Sequence, residues 1–331
     1  MPEITWEAND GYIHSNQVSK LLRESLRPKG KFRQFCTLPQ ELESAGMLNK
    51  GATFYWNVIN APTRRNRRLN ETDRIQSSAM TVLQNSLTVT EMGDAIEHTL
   101  KAQLLSFQDW EGIINNGLAF SAAAQFDVEA YLQFKATALT AAPTGGNSAT
   151  SVTFTTNGTT AITNNIAMAT AHVKAIGDYM KNRNIPPDMS RDAYMAVGRV
   201  DTWRPIKNAL ESIHQYTAEG LSFIKHGEIG RYEDFIFVEQ TMIPAGGAED
   251  SVTYDPYTDT ADAWNNALSD WAMFFGDDPV TEAPVLPEEV RAKLPEDYGR
   301  DKGAAWYALT GFGITHPDAA NSRIVFWNSA A

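Results

Sequence analysis

From residue 93 to 136, apolar side chains return every three or four positions: Ile96, Leu100, Leu104, Phe107, Trp110, Ile114 and Leu118. After a small-residue break at Ser121–Ala124 the run resumes with Val128, Tyr131, Leu132 and Lys135. That spacing puts one stripe on one face of a helix. At the helical rise, a continuous rod here would reach about 60 Å, longer than a single small core requires. Gly112 and Gly117 weaken it locally, each by up to about 1 kcal/mol relative to alanine. A rod so long with a single oily stripe is a spine more than a core element.

The segments on either side are of different kinds. Residues 51–92 read as a long β-hairpin. Thr53–Ile59 is rich in aromatic and β-branched residues, and Met80 to Thr90 alternates Leu83, Asn85, Leu87 and Val89 with Val82, Gln84, Ser86 and Thr88. The polar connection from Ala61 to Ser78 far exceeds the usual length of about two to five residues, which marks it as functional or mobile. It carries the cluster Arg64-Arg-Asn-Arg-Arg68. Residues 1–50, broken at Arg27-Pro-Lys-Gly-Lys31 and without a lasting period, read as an arm that gains order by lying on another surface.

Beyond the long helix, residues 137–164 are turn-laden, with one short strand at Val152–Thr155, and form the best domain boundary. A second helix carries Ile166, Ala169, Val173, Ile176 and Met180; Ala193–Val197 is a short buried strand. Asp201 caps a third helix with Trp203, Ile206, Leu210 and Ile213 on one face, and Phe235–Val238 is another strand. The last eighty residues or so hold an acidic loop region, the apolar run Trp271–Phe275 and a Pro/Glu-rich loop over 281–299. Two strand-like runs follow, Ala304–Leu309 and Arg323–Trp327. Helices packed beside a sheet make this an α+β chain.

With 331 residues, 43% of them hydrophobic, the chain can bury a large core, which excludes wholesale disorder. Its length implies two domains or one elaborate one, since single cores stop growing at roughly 250–300 residues. No apolar run approaches the roughly 18 residues of a membrane span. The opening MPEITWEAND lacks the build of a secretory signal. A lone cysteine, Cys36, excludes an intrachain disulfide framework and a cysteine-based zinc site. A soluble protein of a reducing compartment is the expectation.

The net charge of −12 is unevenly spread. Residues 1–74 hold twelve basic and eight acidic side chains, a net of +4, which leaves −16 for the remainder. Fourteen acids crowd residues 249–302 against Arg291, Lys293, Arg300 and Lys302. A basic head and an acidic tail suit pairing between copies; two solvated faces are the plainer reading. The Arg64–Arg68 cluster suits nucleic acid or an acidic neighbour, and the acidic remainder favours the neighbour.

Catalytic patterns are wanting. The six histidines (His14, His98, His172, His214, His226, His316) lack ligand spacing, and there is no nucleophile elbow, phosphate loop or dinucleotide fingerprint. Asp255, Asp259 and Asp262 resemble a calcium loop but lack its spacing, central glycine and terminal glutamate. Cys36 has no evident base partner, and Asp277-Asp278 and Glu288-Glu289 read as solvating acids. What the residues describe is shape: an arm and a hairpin whose apolar faces one subunit cannot bury, which points to an obligate assembly.

Four stretches, in order along nearly the whole chain, carry a family resemblance. They are Lys31–Phe35 leading into Gly51–Val58; Leu87–Gly93; Gly227-Glu-Ile-Gly230 followed by Val238–Thr241; and the closing pair Ala304–Leu309 and Arg323–Trp327. The chain resembles major capsid proteins of tailed bacteriophages with the Hong Kong 97 fold, closest to the family typified by the podovirus N4 coat protein. It departs from the family pattern at Asp234, where a glycine is usual, and at Ile236, near which a basic residue is usual.

The resemblance implies an N-terminal arm over 1–50, an E-loop hairpin over 51–92 and a spine helix with its peripheral domain over 93–159. A mixed axial domain over 160–270 and a C-terminal segment over 271–331 returning to the peripheral domain complete it. It implies pentamers and hexamers closing an icosahedral shell around double-stranded DNA, without sequence-specific binding, catalytic residues, cofactor, metal or membrane. The virion capsid, assembled in the host cytoplasm, is the expected location, and scaffolding, portal and cement proteins are the expected further partners. Contacts between copies are expected to join Arg64, Arg65, Arg67, Arg68 and Arg74 to acids such as Glu228, Asp255 and Asp259. Two alternatives stay open: an encapsulin-like nanocompartment shell, and an acidic-site hydrolase using Asp255, Asp259 or Glu228. A trimeric receptor-binding or decoration protein is disfavoured by the long helix.

Overall fold

The computed structural model describes residues 31–38, 53–60, 68, 71–72, 74–75, 77–105, 110–144, 151–158, 166–214, 231–240, 271–294 and 297–328. A four-stranded sheet runs in the order β1 (Cys36–Thr37), β11 (Val280–Ala292), β12 (Asp301–Ile314), β4 (Thr90–Thr99). Strands β2 (Thr53–Ile59) and β3 (Val82–Thr88) form a separate hairpin. A seven-stranded sheet contains, in order, β6 (Val152–Thr155), β5 (Leu139–Pro143), β13 (Ile324–Trp327), β10 (Ala272–Phe275), β7 (Tyr194–Gly198), β9 (Phe235–Glu239) and β8 (Arg231–Tyr232). The helices are α1 (Leu100–Leu105), α2 (Trp110–Lys135), α3 (Thr170–Asn182) and α4 (Val200–His214).

The oily stripe is not one helix. Its first part, expected to be helical from residue 93, is the end of β4, paired antiparallel with β12 from Thr90↔Thr310 to Thr99↔Asp301. Tertiary pairing overrides the helical spacing because β12 offers a full set of backbone partners. Gly93 suits that pairing, since a Cβ there would lie 2.8 Å from the Trp306 carbonyl oxygen. Alternate residues of β4 then face α2. The Asp94 carboxylate accepts a hydrogen bond from the Ser121 hydroxyl (2.7 Å), Ile96 reaches Gly117, and His98 stacks on Trp110. Gly117, a weak point by helix propensity, is a point of close approach between helix and strand: a Cβ there would sit 3.2 Å from Ile96 Cδ1.

Helix α2 serves both sheets. Ile114, Leu118, Ala122 and Phe126 pack in one core with Met92, Trp306, Ala308 and Phe312 of the four-stranded sheet. Tyr131 and Phe134 continue that core against Met195, Met273, Phe275 and Phe326 of the seven-stranded sheet. The opposite face of the seven-stranded sheet (Tyr194, Ala196, Phe274, Val325, Trp327) is covered by Val173, Ile176 and Met180 of α3 and by Trp203, Ile206 and Leu210 of α4. Strict alternation along β7, β10 and β13 is what divides the cores. The sequence expectations for β7, β9 and β6 hold; α3 begins only at Thr170, so that Ile166 precedes it and Ala169 is its N-cap, and Asp201 lies in the first turn of α4.

Two expectations for the C-terminal part need correction. The Pro/Glu-rich stretch is not a loop but most of β11, a strand of 13 residues. Its prolines are tolerated because β1 covers only Val280 and Thr281, leaving Pro284 and Pro287 on an edge that asks for no N–H, with register shifts between Pro284 and Glu289. Nor does the whole of 271–331 join the sheet beside the start of α2. Strands β11 and β12 do; β10 and β13 lie in the seven-stranded sheet, with β13 parallel to β5.

The departure at Asp234 has a structural answer. Glu233 and Asp234 form the turn between β8 and β9 with φ of 50° and 66°, the left-handed region that favours glycine. Asp234 is held there by ion pairs to Lys181 (2.8 Å) and Arg231 (3.3 Å), and the Lys181 hydrogen bond lowers its carboxyl below the usual range. Glu233 meets an exposed Lys174 at a looser 3.9 Å. Glu233→Gly should therefore stabilise the protein by about 0.5–1 kcal/mol, read as a higher urea midpoint; a lower midpoint would show that the turn is not strained.

Candidate assembly surface

The β2–β3 hairpin is two-faced. Its inner face seats on the four-stranded sheet through Leu87, 4% exposed, with Phe54, Trp56 and Val89 packed around Leu87 and Ala283. The Thr315 carbonyl, just past β12, accepts hydrogen bonds from Trp56 Nε1 (2.9 Å) and Asn85 Nδ2 (3.1 Å). Close seating requires a bare backbone beneath. A Cβ on Gly311 would lie 2.6 Å from Leu87 Cδ1 and 2.7 Å from the Thr88 carbonyl oxygen, and one on Gly313 would lie 2.7 Å from Leu87 Cβ.

The outer face is open to solvent. Tyr55, Ile59 and Val82 are more than half exposed, as are Ile75 and Met80 in the connection. Apolar side chains clustered at the end of a projecting element are the mark of an interaction site. Arg68 and Arg74 are exposed beside them. Arg64, Arg65, Arg67, Glu228, Asp255 and Asp259 lie outside the described residues. A second exposed apolar group, Val290, Leu294 and Tyr298, sits at the far end of the β11–β12 hairpin. There Lys293 bridges Glu97 (2.9 Å) and Asp301 (2.6 Å), tying β4 to β12. Sequence reading missed this second group because it took the stretch for a loop.

A third element, also missed, is a short clasp at residues 31–37. Phe32 is fully buried, its ring 5.3 Å from both Tyr131 and Phe134 of α2, and Phe35 lies 5.1 Å from Phe275. Asp127 Oδ1 of α2 accepts the backbone N–H groups of Phe32 (2.6 Å) and Arg33 (3.1 Å). The Arg33 guanidinium stacks over Phe126 and bonds Glu282 (2.8 Å) and Glu288 (3.2 Å). The Lys31–Phe35 motif had carried the resemblance, but its partner Asp127 is 95 residues away and gives no local signal.

Reactive groups are few here. Burial pushes the Cys36 thiol far above its ordinary value, so it stays neutral. Burial likewise lowers His98 and His316, with Lys302 and Arg323 adding to the effect. Among the described residues, no group of three or more His, Cys, Asp or Glu side chains is placed to hold a metal ion, and no helix is long and apolar enough to cross a membrane.

No protein-family model matches the chain. No curated protein matches it in sequence. Solved structures do. The chain is similar to a Mycobacterium phage Che8 structure at 13% identity and a TM-score of 0.62, over 97% of this chain and 98% of that one. It matches a capsid structure of the cyanophage P-SCSP1u at 8% identity and a TM-score of 0.67, over 97% and 94%. It matches the head structure of the Helicobacter pylori bacteriophage KHP40 at 12% identity and a TM-score of 0.64, over 100% and 99%. At such identities the likeness speaks for architecture, and it runs from end to end: the chain has the Hong Kong 97-type fold of phage capsid subunits.

Proposed function

We propose that the chain is a major capsid protein whose copies assemble as pentamers and hexamers into an icosahedral shell around double-stranded DNA. The observation that carries this reading is the whole-length likeness to phage head structures. The exposed apolar outer face of the hairpin supports it, since a lone subunit leaves Ile59, Val82 and Met80 in water. The net charge of −12 suits a container that must not adhere to its genome. Its role is structural and not catalytic.

In this reading the arm is 1–50 and the E-loop is 51–92, reaching over a neighbouring subunit. The four-stranded sheet with α2 is the peripheral domain, and the seven-stranded sheet with α3 and α4 is the axial domain. The shell assembles in the host cytoplasm with scaffolding, portal and cement proteins as further partners, and the N4-like motifs support a position near that branch. Arg64, Arg65, Arg67, Arg68 and Arg74 of one copy meet acids such as Glu228, Asp255 and Asp259 of the next.

Electron microscopy of particles from the native source tests the assignment. Genome-filled heads bearing tails are expected; shells filled with a cargo protein would instead indicate a nanocompartment, and a catalytically active monomer would indicate a hydrolase. Replacing Arg64, Arg65, Arg67 and Arg68 together with serine should lower particle yield and make the remaining particles fall apart at lower salt. Particles of unchanged yield and salt resistance would remove the arginine cluster from the interface.

A further inference from the structure

The clasp holds a buried carboxyl whose chemistry goes unused in shell contacts. Asp127 is 4% exposed, and both clasp hydrogen bonds fall on one oxygen, Oδ1. Its second oxygen, Oδ2, is buried and has no hydrogen-bond partner among the described residues. A carboxylate with a dry, unbonded oxygen is costly. A carboxylic acid, with the proton on Oδ2 and Oδ1 still accepting both N–H groups, fits the same space without a buried charge.

Its neighbours leave that balance in place. Arg33 spends its charge on Glu282 and Glu288, whose carboxylates face the guanidinium from β11. Cys36 is neutral, and the Lys31 backbone N–H lies near the carboxyl without bonding Oδ2. On α2 itself the nearby acid is Glu129, bonded to Gln125. From β4, Asp94 and His98 meet α2 at Ser121 and Trp110, about 9 Å and 25 Å along the axis from Asp127 at the helical rise.

We propose that Asp127 is a proton-linked latch: its neutral form holds the clasp at residues 31–37 on α2, and loss of the proton loosens the root of the N-terminal arm. Burial pushes the carboxyl up to about 6, against the pull of the N–H bonds from Arg33, Phe32 and Lys31. Opening the clasp wets Asp127 and returns it toward its ordinary value of 3.8. A carboxyl raised in the docked state stabilises docking in acid, and that stabilisation fades as pH rises through about 6. The sign is opposite to that of a salt-bridged aspartate.

Hydrogen exchange on the full-length protein tests the latch, with rates divided by the intrinsic rate at each pH. Protection of the amides of Phe32–Phe35 should be roughly tenfold or more higher at about pH 4.5 than at about pH 7.5, the fall being complete once the pH passes about 6. Amides of α3 serve as the internal reference and should show no such step. Asp127→Asn, which keeps an acceptor but cannot ionise, should give protection that does not change over this range. A flat wild-type profile would overturn the latch, as would an Asp127→Asn profile that keeps the wild-type step. Should the variant fail to fold, the wild-type series decides alone.

Discussion

Alanine in place of Phe126 should cost about 3–5 kcal/mol, the loss seen when a buried aromatic leaves a cavity it cannot close. Phe126 is fully buried at the crossing of three elements. Its ring lies 5.6 Å from Trp306 and 6.3 Å from Phe312, and the Arg33 guanidinium covers it at 4.2 Å. Removing it strips the packing of β12 and the stacked cation of the clasp together. Against a typical total of about 5–15 kcal/mol, such a loss leaves a subunit near the edge of folding. Urea denaturation reads it directly; a loss below about 1 kcal/mol would mean that the core around Trp306 collapses to fill the space.

Valine at Gly311 or Gly313 should unseat the hairpin while leaving both sheets intact. The added side chain would have to displace Leu87 and, at Gly311, the Thr88 backbone, which has nowhere to go without lifting β3. Overpacking of this kind typically costs about 1–3 kcal/mol. If the hairpin reaches over a neighbour as proposed, the loss of assembly should exceed the stability loss, because a hairpin aimed in the wrong direction would miss that neighbour. Far-UV circular dichroism should be nearly unchanged, with few or no particles by electron microscopy. Normal particles from either variant would show that the hairpin seat has no part in assembly.

Much of this architecture is legible locally. The aromatic and β-branched run Thr53–Ile59, the periodic faces of α3 and α4, and the apolar strands β7, β9 and β13 all announce themselves, because their burial is set by spacing within the element. What escapes is set by distant partners. Residues 93–99 carry helical spacing, yet pair with β12 some two hundred positions later. Pro284 and Pro287 argue against a strand until the strand is seen to lie at an edge. Asp127 looks like any helical acid until Phe32 and Arg33 are laid across it. Of the candidate contact residues, the basic connection was found by composition; alternation marked Leu83, Leu87 and Val89, of which Leu87 and Val89 pack on the inner side of the hairpin, and did not single out Tyr55 and Ile59 on the outer one. The exposed trio at Val290, Leu294 and Tyr298 required the three-dimensional register of β11 and β12.

Helix α2 packs on the four-stranded sheet along its first turns and against Phe275 and Trp271 of the seven-stranded sheet at its end. Close-packed interiors transmit strain and compress little. A displacement of either sheet is therefore passed to the other through this helix and the core it shares with both. The hairpin, by contrast, rests on a small separate cluster around Leu87 and Ala283 with side-chain hydrogen bonds to Thr315 and Asn321, so it can shift without disturbing that shared core.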